Sequence, residues 1–222
     1  MTNQVSAFRW VPDFAQGFVR DLRVRWALEE AGLPYEAVLI DGDEKDGDAY
    51  RAWQPFGQVP AYRDDEVEIF ESGAIVLHIA EKSAALCPQD KAGRARVTTW
   101  VIAALNSVEP FAWNFISFDG EGAGDGEGAG AAWNKKQRAK VEADLDRRLA
   151  PLDKRLATRE YLEDRFTAAD IVMSTALREL VEAGGLDRYP ALTAYVKRCT
   201  GRPAFKKALD AQMKPFRESA AA

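Results

Sequence analysis

The chain has 222 residues, of which 47% are hydrophobic and 29% are charged. This composition is typical of a soluble globular protein and excludes a wholly disordered or collagenous chain. The 30 basic and 35 acidic residues leave a net charge of −5, and we expect no nucleic-acid partner because phosphate neutralisation needs clustered Lys and Arg.

The beginning of the chain predicts a strand, a helix and a second strand. A β-branched and aromatic run at 7–11 predicts a short strand that ends at Pro12. From about Gln16 the apolar residues recur at i, i+3, i+4 and i+7, which predicts a helix that Gly32 ends. Residues 35–40 predict the second strand. This order is typical of a parallel sheet.

The following segments predict a hairpin between two further helices. A short helix is predicted at 50–53, after an acidic stretch. Residues 59–62 and 68–70 predict two short strands that a turn separates, which favours a hairpin. Ser72 precedes an apolar run at 74–80 and can cap a helix there. The predicted order is therefore β-α-β-α-β-β-α.

Beyond Pro88 the chain is predicted to be helical throughout. An apolar stripe at 101–115 predicts a long helix that Pro110 bends. Leucines at helical spacing predict another helix at 141–156, and a further helix is predicted at 191–199. Residues 166–171 resemble a capping box with Asp in place of the usual Glu.

Two features of composition concern the organisation of the chain. Residues 1–84 hold 8 basic and 16 acidic side chains, whereas 85–222 hold 22 and 19, which indicates two separately built units. Residues 119–130 are two copies of the hexapeptide Asp-Gly-Glu-Gly-Ala-Gly. Such a Gly-rich segment predicts a mobile insertion, with a lid as the alternative.

The segment Gln58-Val59-Pro60, combined with Glu71-Ser72, carries the most informative chemistry. The bond before Pro60 is a candidate for the cis form, and the bend would leave the main chain of Val59 free to pair with an extended peptide. Glu71 and Ser72 lie where the hairpin meets a helix N-terminus. That terminus suits a carboxylate, and the Glu71 carboxylate suits an ammonium. Together they predict a clamp for a zwitterionic peptide.

Four segments in this order make the chain similar to the cytosolic glutathione transferase family. They cover nearly the whole length and comprise residues 25–36, 57–61, 71–75 and 166–171. The resemblance implies an α/β thioredoxin-like N-terminal domain followed by an all-α helical-bundle C-terminal domain, and a homodimer. We expect the domains at 1–82 and 91–218, with 83–90 as the linker.

The resemblance also implies a function and a set of binding residues. Glutathione would be held by the main chain of Val59 ahead of a cis Pro60, its γ-glutamyl group by Glu71 and Ser72, and a further contact would come from Gln58. The implied activity is conjugation of the glutathione thiolate to an apolar electrophile, a detoxification reaction with glutathione as co-substrate.

The position of the thiol-activating residue departs from the family pattern. The family's Ser, Cys or Tyr corresponds here to residues 17–20, none of which carries a hydroxyl or thiol. Lowering a thiol pKa from about 8.5 to about 7 requires about 2 kcal/mol, which one charge-assisted hydrogen bond can supply. Arg20, or N–H groups at the helix start near Gly17, are the candidates. A solvated Arg20 without this role is the alternative.

The same departure leaves a second function open. A non-catalytic glutathione-binding or protein-interaction module on the same fold would need no thiol-activating residue. Cys87 and Cys199 lie away from the expected position, so a glutathione-disulfide reductase with a nucleophilic cysteine there is not expected. Both cysteines are expected to be buried small apolar residues.

Aromatic residues are expected to line a pocket for the electrophile. Phe111 also fits the core stripe of its helix, which is the alternative for that residue. The predicted pocket residues are Trp10, Phe14, Phe111, Trp113 and Phe118.

Location and cofactors follow from what the sequence lacks. No run approaches about 20 apolar residues, so no membrane span is expected. The first four residues do not begin a secretory signal, which predicts a cytoplasmic location. With two cysteines and one histidine, His78, neither a disulfide framework nor a metal site is expected.

Overall fold

The structure is a computed structural model that describes residues 2–120 and 129–220. Its contacts divide the chain into two compact units. The first unit contains the residues up to Ala95 together with those from Thr200 onward, and the second contains Arg96–Cys199. The last helix therefore packs within the first unit, whereas the sequence-based boundary at 91–218 placed it in the second.

A mixed four-stranded sheet organises the first unit. Its strands are β1 (Asn3–Phe8), β2 (Tyr35–Ile40), β3 (Ala61–Arg63) and β4 (Glu68–Phe70). The spatial order is β2-β1-β3-β4. Strands β1 and β2 are parallel, with Asn3 opposite Tyr35, and the other two pairs are antiparallel. The predicted parallel unit and the predicted hairpin are confirmed.

Strand β1 starts earlier than predicted. The expected strand at 7–11 is wrong at both ends, because β1 spans Asn3–Phe8. Val5, Ser6 and Ala7 are buried in succession, so both faces of β1 are covered and the strand lacks the polar and apolar alternation of a half-buried strand. Because Ser6 is polar, the residues before Ala7 did not look like part of an apolar strand.

Three helices of the same unit precede Pro88. They are α1 (Asp21–Ala31), α2 (Asp48–Arg51) and α3 (Ser72–Glu81). The predicted start of α1 at Gln16 is wrong, because the preceding residues form a 3₁₀ turn and a bend that includes Gly17 at φ 81. Its predicted end is confirmed, since Gly32 adopts the left-handed conformation at φ 66.

The remaining helices follow Pro88, as predicted. They are α4 (Lys91–Ala103), α5 (Glu109–Gly120), α6 (Ala129–Leu156), α7 (Ala168–Glu182), α8 (Pro190–Thr200) and α9 (Pro203–Ala220). The stripe predicted as one bent helix is divided by a π-helical turn at Ala104–Val108, immediately before Pro110. Pro110 has no N–H to donate to the preceding turn, and this missing hydrogen bond explains the change in the helical hydrogen-bond pattern.

Two further expectations concern the helical part. Within the predicted Gly-rich insertion, residues 121–128 lie outside the described residues, and 129–130 begin α6. Among the helices described, none combines the length and the hydropathy that a bilayer crossing requires.

The predicted capping box is confirmed and extends beyond its own helix. The buried Asp170 carboxylate accepts hydrogen bonds from the N–H of Thr167 at 2.8 Å and the N–H of Leu162 at 2.9 Å. It also accepts one from the Tyr195 hydroxyl at 2.9 Å. One carboxylate therefore joins the start of α7, the preceding loop and α8.

A buried polar network attaches α9 to α1. Arg25 Nε lies 2.7 Å from Asp21 Oδ2, one turn away on α1. From α9, Gln212 Nε2 donates to Asp21 Oδ1 at 2.6 Å and to the carbonyl of Val19 at 2.9 Å. The last helix thus contacts the segment before α1, in which the thiol-activating group was expected.

The β3–β4 turn is organised by Asp64, whose side chain is 5% exposed. Its Oδ2 lies 2.8 Å from His78 Nε2 and 2.8 Å from Lys82 Nζ. Asp64, Glu66 and His78 offer three metal-ligand atoms within 4.8 Å of one another. Because Lys82 Nζ also lies 2.8 Å from Glu66 Oε2, an ammonium group already bridges the two carboxylates.

We expect the contribution of Asp64 to stability to depend on pH. Burial raises its pKa, but hydrogen bonds from Lys82 and His78 outweigh this effect and hold the pKa well below its ordinary value of 3.8. The ionised carboxylate therefore stabilises the fold above about pH 4, and this contribution is lost as the pH falls. Asp64→Asn should lower the free energy of unfolding by about 2 kcal/mol at pH 7, and by less at pH 3.

Urea unfolding at both pH values measures this difference. Asp43→Asn, at an exposed carboxylate of the same unit, serves as the control and should cost little at either pH. An Asp64→Asn effect of equal size at pH 7 and pH 3 would contradict the prediction.

Candidate functional site

A chain of hydrogen bonds holds the segment before β3. The N–H of Ala61 donates to Ser6 Oγ at 2.7 Å, and Ser6 Oγ lies 2.7 Å from the Tyr50 hydroxyl. Tyr50 in turn donates to the carbonyl of Gln58 at 2.6 Å. Burial raises the pKa of Tyr50, which keeps its phenol protonated as the donor. The segment is therefore anchored to β1 and α2 on both sides of Pro60.

A tight turn precedes this anchored segment. The buried Gln54 side chain accepts hydrogen bonds from the N–H groups of Phe56 and Gln58, at 2.7 and 3.2 Å. Gly57 has φ 63, and a Cβ atom there would lie 2.9 Å from the carbonyl oxygen of Lys45. Only glycine adopts this positive φ readily and also fits this close to the Lys45 carbonyl without a shift of the backbone.

The main chain of Val59 has no partner among the described residues. The Val59–Pro60 bond is cis. The Val59 side chain packs in a core cluster that includes Ile40 and Trp53. Within residues 2–120 and 129–220, neither the N–H nor the C=O of Val59 has a hydrogen-bond partner. The side chain is thus fixed while the polar backbone atoms remain available.

The entry into α3 is unusual and corrects one sequence-based expectation. Glu71 precedes the helix at φ 70 and ψ 115, a conformation that is uncommon for a residue other than glycine. The helix begins at Ser72, so Glu71 and not Ser72 occupies the cap position, and no side chain caps the helix. The first-turn N–H groups of such a helix lack intrahelical partners.

An arginine that pattern analysis missed lies beside Ser72. Arg23 Nη1 donates to Ser72 Oγ at 3.3 Å, and both residues are buried. In the sequence Arg23 belongs to a charged run at 20–25, Arg-Asp-Leu-Arg-Val-Arg, that is typical of a solvated helix face. Its spacing of four residues from the buried Ala27 is the signal that places it on the packed side of α1.

The predicted thiol-activating candidates lie at the start of α1 and just before it. Arg20 is exposed at the N-cap of α1, and Gly17 is buried. The N–H groups of Leu22 and Arg23 donate to the carbonyls of Val19 and Arg20, at 3.1 Å in each case. The expectation of a helix start near Gly17 is therefore wrong, and these donors at the actual start are already paired.

The cysteines do not offer a nucleophile. Cys87 and Cys199 are buried, as predicted. Burial raises the pKa of Cys199 to about 12, so its thiol stays protonated at physiological pH. Reactivity of a cysteine depends on its thiolate form, which Cys199 does not populate.

The predicted pocket aromatics are found in both units. Trp10 and Phe14 belong to the first unit and are exposed, Phe14 at 84%. On α5 in the second unit, Trp113 is exposed, whereas Phe111 is half-buried with the Arg148 guanidinium 4.4 Å from its ring centre. The Phe118 side chain lies outside the described residues.

The sequence matches two family models in succession. Residues 22–86 match the model for the glutathione S-transferase N-terminal domain, and residues 108–203 match the model for the glutathione S-transferase C-terminal domain. A glutathione S-transferase from Silene vulgaris is 30% identical over 213 residues, which cover 86% of this chain and 92% of that protein.

Two further similar proteins are an oxidoreductase and a glutathione transferase of known structure. The disulfide-bond oxidoreductase YghU from Escherichia coli is 30% identical over 197 residues, covering 82% of this chain and 65% of its own length. A crystal structure of a glutathione transferase from Burkholderia graminis, with two glutathione molecules bound per subunit, superposes with a TM-score of 0.76. It is 28% identical and covers 95% of this chain and 88% of its own.

Proposed function

Because the chain belongs to the glutathione S-transferase family, we propose that it binds glutathione between the main chain of Val59 and the N-terminus of α3. The observation that carries this proposal is that the N–H and C=O of Val59 have no partner in the described part of the chain. They lie in a segment that Ser6, Tyr50 and Gln54 hold in place. Backbone atoms fixed in this way can pair with the extended main chain of a peptide.

The cysteinyl residue and the γ-glutamyl end of the tripeptide each have complementary groups. The cysteinyl residue pairs with the backbone of Val59, and Gln58 adds a side-chain contact. The γ-glutamyl carboxylate binds the free N–H groups and the positive end of α3, where Ser72 lies. The exposed Glu71 carboxylate accepts from the ammonium group.

The reaction that we propose is transfer of the glutathione thiolate to an apolar electrophile. The thiol loses its proton to solvent, and the sulfur lone pair forms the new S–C bond. In an addition the π bond of the electrophile breaks and its carbon takes a proton from solvent. In a substitution the bond to the leaving group breaks, and that group departs with the bonding electrons. The exposed Arg20 is the residue to which we assign stabilisation of the thiolate, and the exposed Trp10 and Phe14 favour an apolar second substrate. A cytoplasmic homodimer with a role in detoxification remains a prediction.

A second function is favoured by one specific observation. Residues 17–20 carry no hydroxyl or thiol, and the N–H groups of Leu22 and Arg23 in the first turn of α1 are already paired. A glutathione-binding or protein-interaction module without catalysis would fit this arrangement.

Ionisation of bound glutathione distinguishes the two functions. We expect calorimetry to detect binding below millimolar glutathione. Ultraviolet absorbance of the saturated protein should then show a thiolate with a pKa near 7, about 1.5 below the ordinary value. Arg20→Ala should raise this pKa, whereas Arg9→Ala, at an exposed arginine of the same unit, should not.

Two outcomes contradict different parts of the proposal. Absence of binding at millimolar glutathione contradicts the proposed site. Binding without ionisation below pH 8 contradicts the transferase and supports the second function.

A further inference from the structure

We propose that Gln212, on α9, is a positioning residue that holds Arg20 where it stabilises the bound thiolate. This inference rests on the proposed function, and it adds to that function a residue from the other end of the chain. Gln212 and Arg20 belong to the same compact unit, because the residues from Thr200 onward pack with those up to Ala95. The contacts between α9 and the start of α1 therefore lie within one unit.

One side-chain amide holds the chain on both sides of Arg20. Gln212 Nε2 donates to the main-chain carbonyl of Val19 at 2.9 Å and to Asp21 Oδ1 at 2.6 Å. Val19 directly precedes Arg20, and Asp21 directly follows it. The Val19 carbonyl also accepts from the N–H of Leu22 at 3.1 Å. The backbone around Arg20 is thus fixed by hydrogen bonds, although its side chain is exposed.

The amide of Gln212 is buried at a cost. Gln212 is 1% exposed, and among the described residues its Oε1 has no hydrogen-bond partner. Turning the amide over would not help, because an oxygen would then face the Val19 carbonyl and the Asp21 carboxylate, which only accept hydrogen bonds. A leucine would fill the same space without burying an unpaired oxygen. What the amide adds over an apolar side chain is the pair of hydrogen bonds beside Arg20.

A fixed backbone at this place matters because an arginine side chain is flexible. A charge-assisted hydrogen bond to the sulfur depends on distance and direction. Every freedom that the guanidinium keeps must be given up when the bond forms, which weakens the bond. Gln212 removes the backbone part of this freedom. Loss of the amide should therefore weaken stabilisation of the thiolate, while the peptide contacts proposed at Val59 remain.

The test separates ionisation of the thiol from binding of the peptide. Gln212→Leu removes both hydrogen bonds and keeps a side chain of similar size. Ultraviolet titration of the glutathione-saturated variant should show a thiol pKa higher than in the wild-type protein by about 0.5 to 1, the value of one hydrogen bond. Calorimetry with S-methylglutathione, whose capped thiol cannot ionise, should give an affinity within about twofold of the wild-type value.

Two further variants identify the cause. Arg202→Met removes the ion pair with Glu30, in which Nε and Nη2 of Arg202 lie 2.6 and 2.8 Å from the carboxylate oxygens. This pair joins the residue before α9 to the other end of α1, so its loss should lower the free energy of unfolding and leave the thiol pKa unchanged. Arg20→Ala combined with Gln212→Leu should raise the thiol pKa no further than Arg20→Ala alone, because Gln212 acts through Arg20.

An unchanged thiol pKa in Gln212→Leu, with a wild-type value near 7, overturns this inference and leaves the proposed function standing. An equal rise in Arg202→Met overturns it as well, because the cause is then a general loosening of the two helices. A further rise in the double variant also contradicts it, since the effect would not pass through Arg20.

Two remaining results are also decisive. If Gln212→Leu does not fold, Gln212→Asn provides the test: its side chain is one methylene shorter and should lose one or both hydrogen bonds, so an unchanged thiol pKa overturns the inference. If the wild-type protein binds glutathione without ionising it below pH 8, the transferase and this inference fail together.

Discussion

Replacing Asp170 by Ala is expected to lower the free energy of unfolding by about 3 to 5 kcal/mol. The substitution removes the acceptor of three hydrogen bonds, from the N–H groups of Thr167 and Leu162 and from the hydroxyl of Tyr195. These donors lie at buried residues. Each buried donor that loses its partner costs about 1 to 3 kcal/mol.

Urea unfolding followed by circular dichroism measures this loss. Asp164→Ala is the matched control, because that carboxylate is 97% exposed in the same loop region. We expect the control to change stability by less than about 0.5 kcal/mol. A loss below about 1 kcal/mol in Asp170→Ala would show that water replaces the carboxylate.

Replacing Arg25 by Met is expected to destabilise the protein by about 3 to 5 kcal/mol. The ion pair with Asp21 is 2.7 Å long, and the two side chains are 3% and 1% exposed. Without Arg25, the buried Asp21 carboxylate keeps only neutral partners, among them the Gln212 amide. Taking one partner from a buried pair leaves an uncompensated charge, which is the main cost.

A double variant tests this cause. The double variant Asp21→Asn with Arg25→Met has no buried carboxylate charge. Its free energy of unfolding should therefore be higher than that of Arg25→Met alone. Arg9→Met breaks the exposed pair with Asp41 and should cost less than about 1 kcal/mol. Equal stability of the single and the double variant would exclude the uncompensated carboxylate as the reason.

Elements with a local cause were predictable from the sequence. The strand Tyr35–Ile40, the strand Glu68–Phe70 and the end of α1 at Gly32 have the predicted bounds. The Thr167 and Asp170 cap likewise depends on residues three positions apart. Alternation, capping and turn formation act over a few residues, and a short window of sequence contains them.

Elements that depend on distant packing were predicted less well. Strand β1 lacked an alternating pattern because both of its faces are covered. The π-helical turn Ala104–Val108 changes the hydrogen-bond ladder just before Pro110, where the stripe predicted a single bent helix. In both cases the pattern identified the type of element and missed its bounds or geometry.

The sequence by itself determined the succession of strands and helices and the two segments, Gln58-Val59-Pro60 and Glu71-Ser72, that we propose to hold glutathione. Only the tertiary structure decided that Arg23 is buried against Ser72 and that Gln212 contacts Val19, which is 193 residues away in the chain. The physical reason is that a charged residue on a helix is solvated or buried according to which other element packs on its face. That element can come from anywhere along the chain.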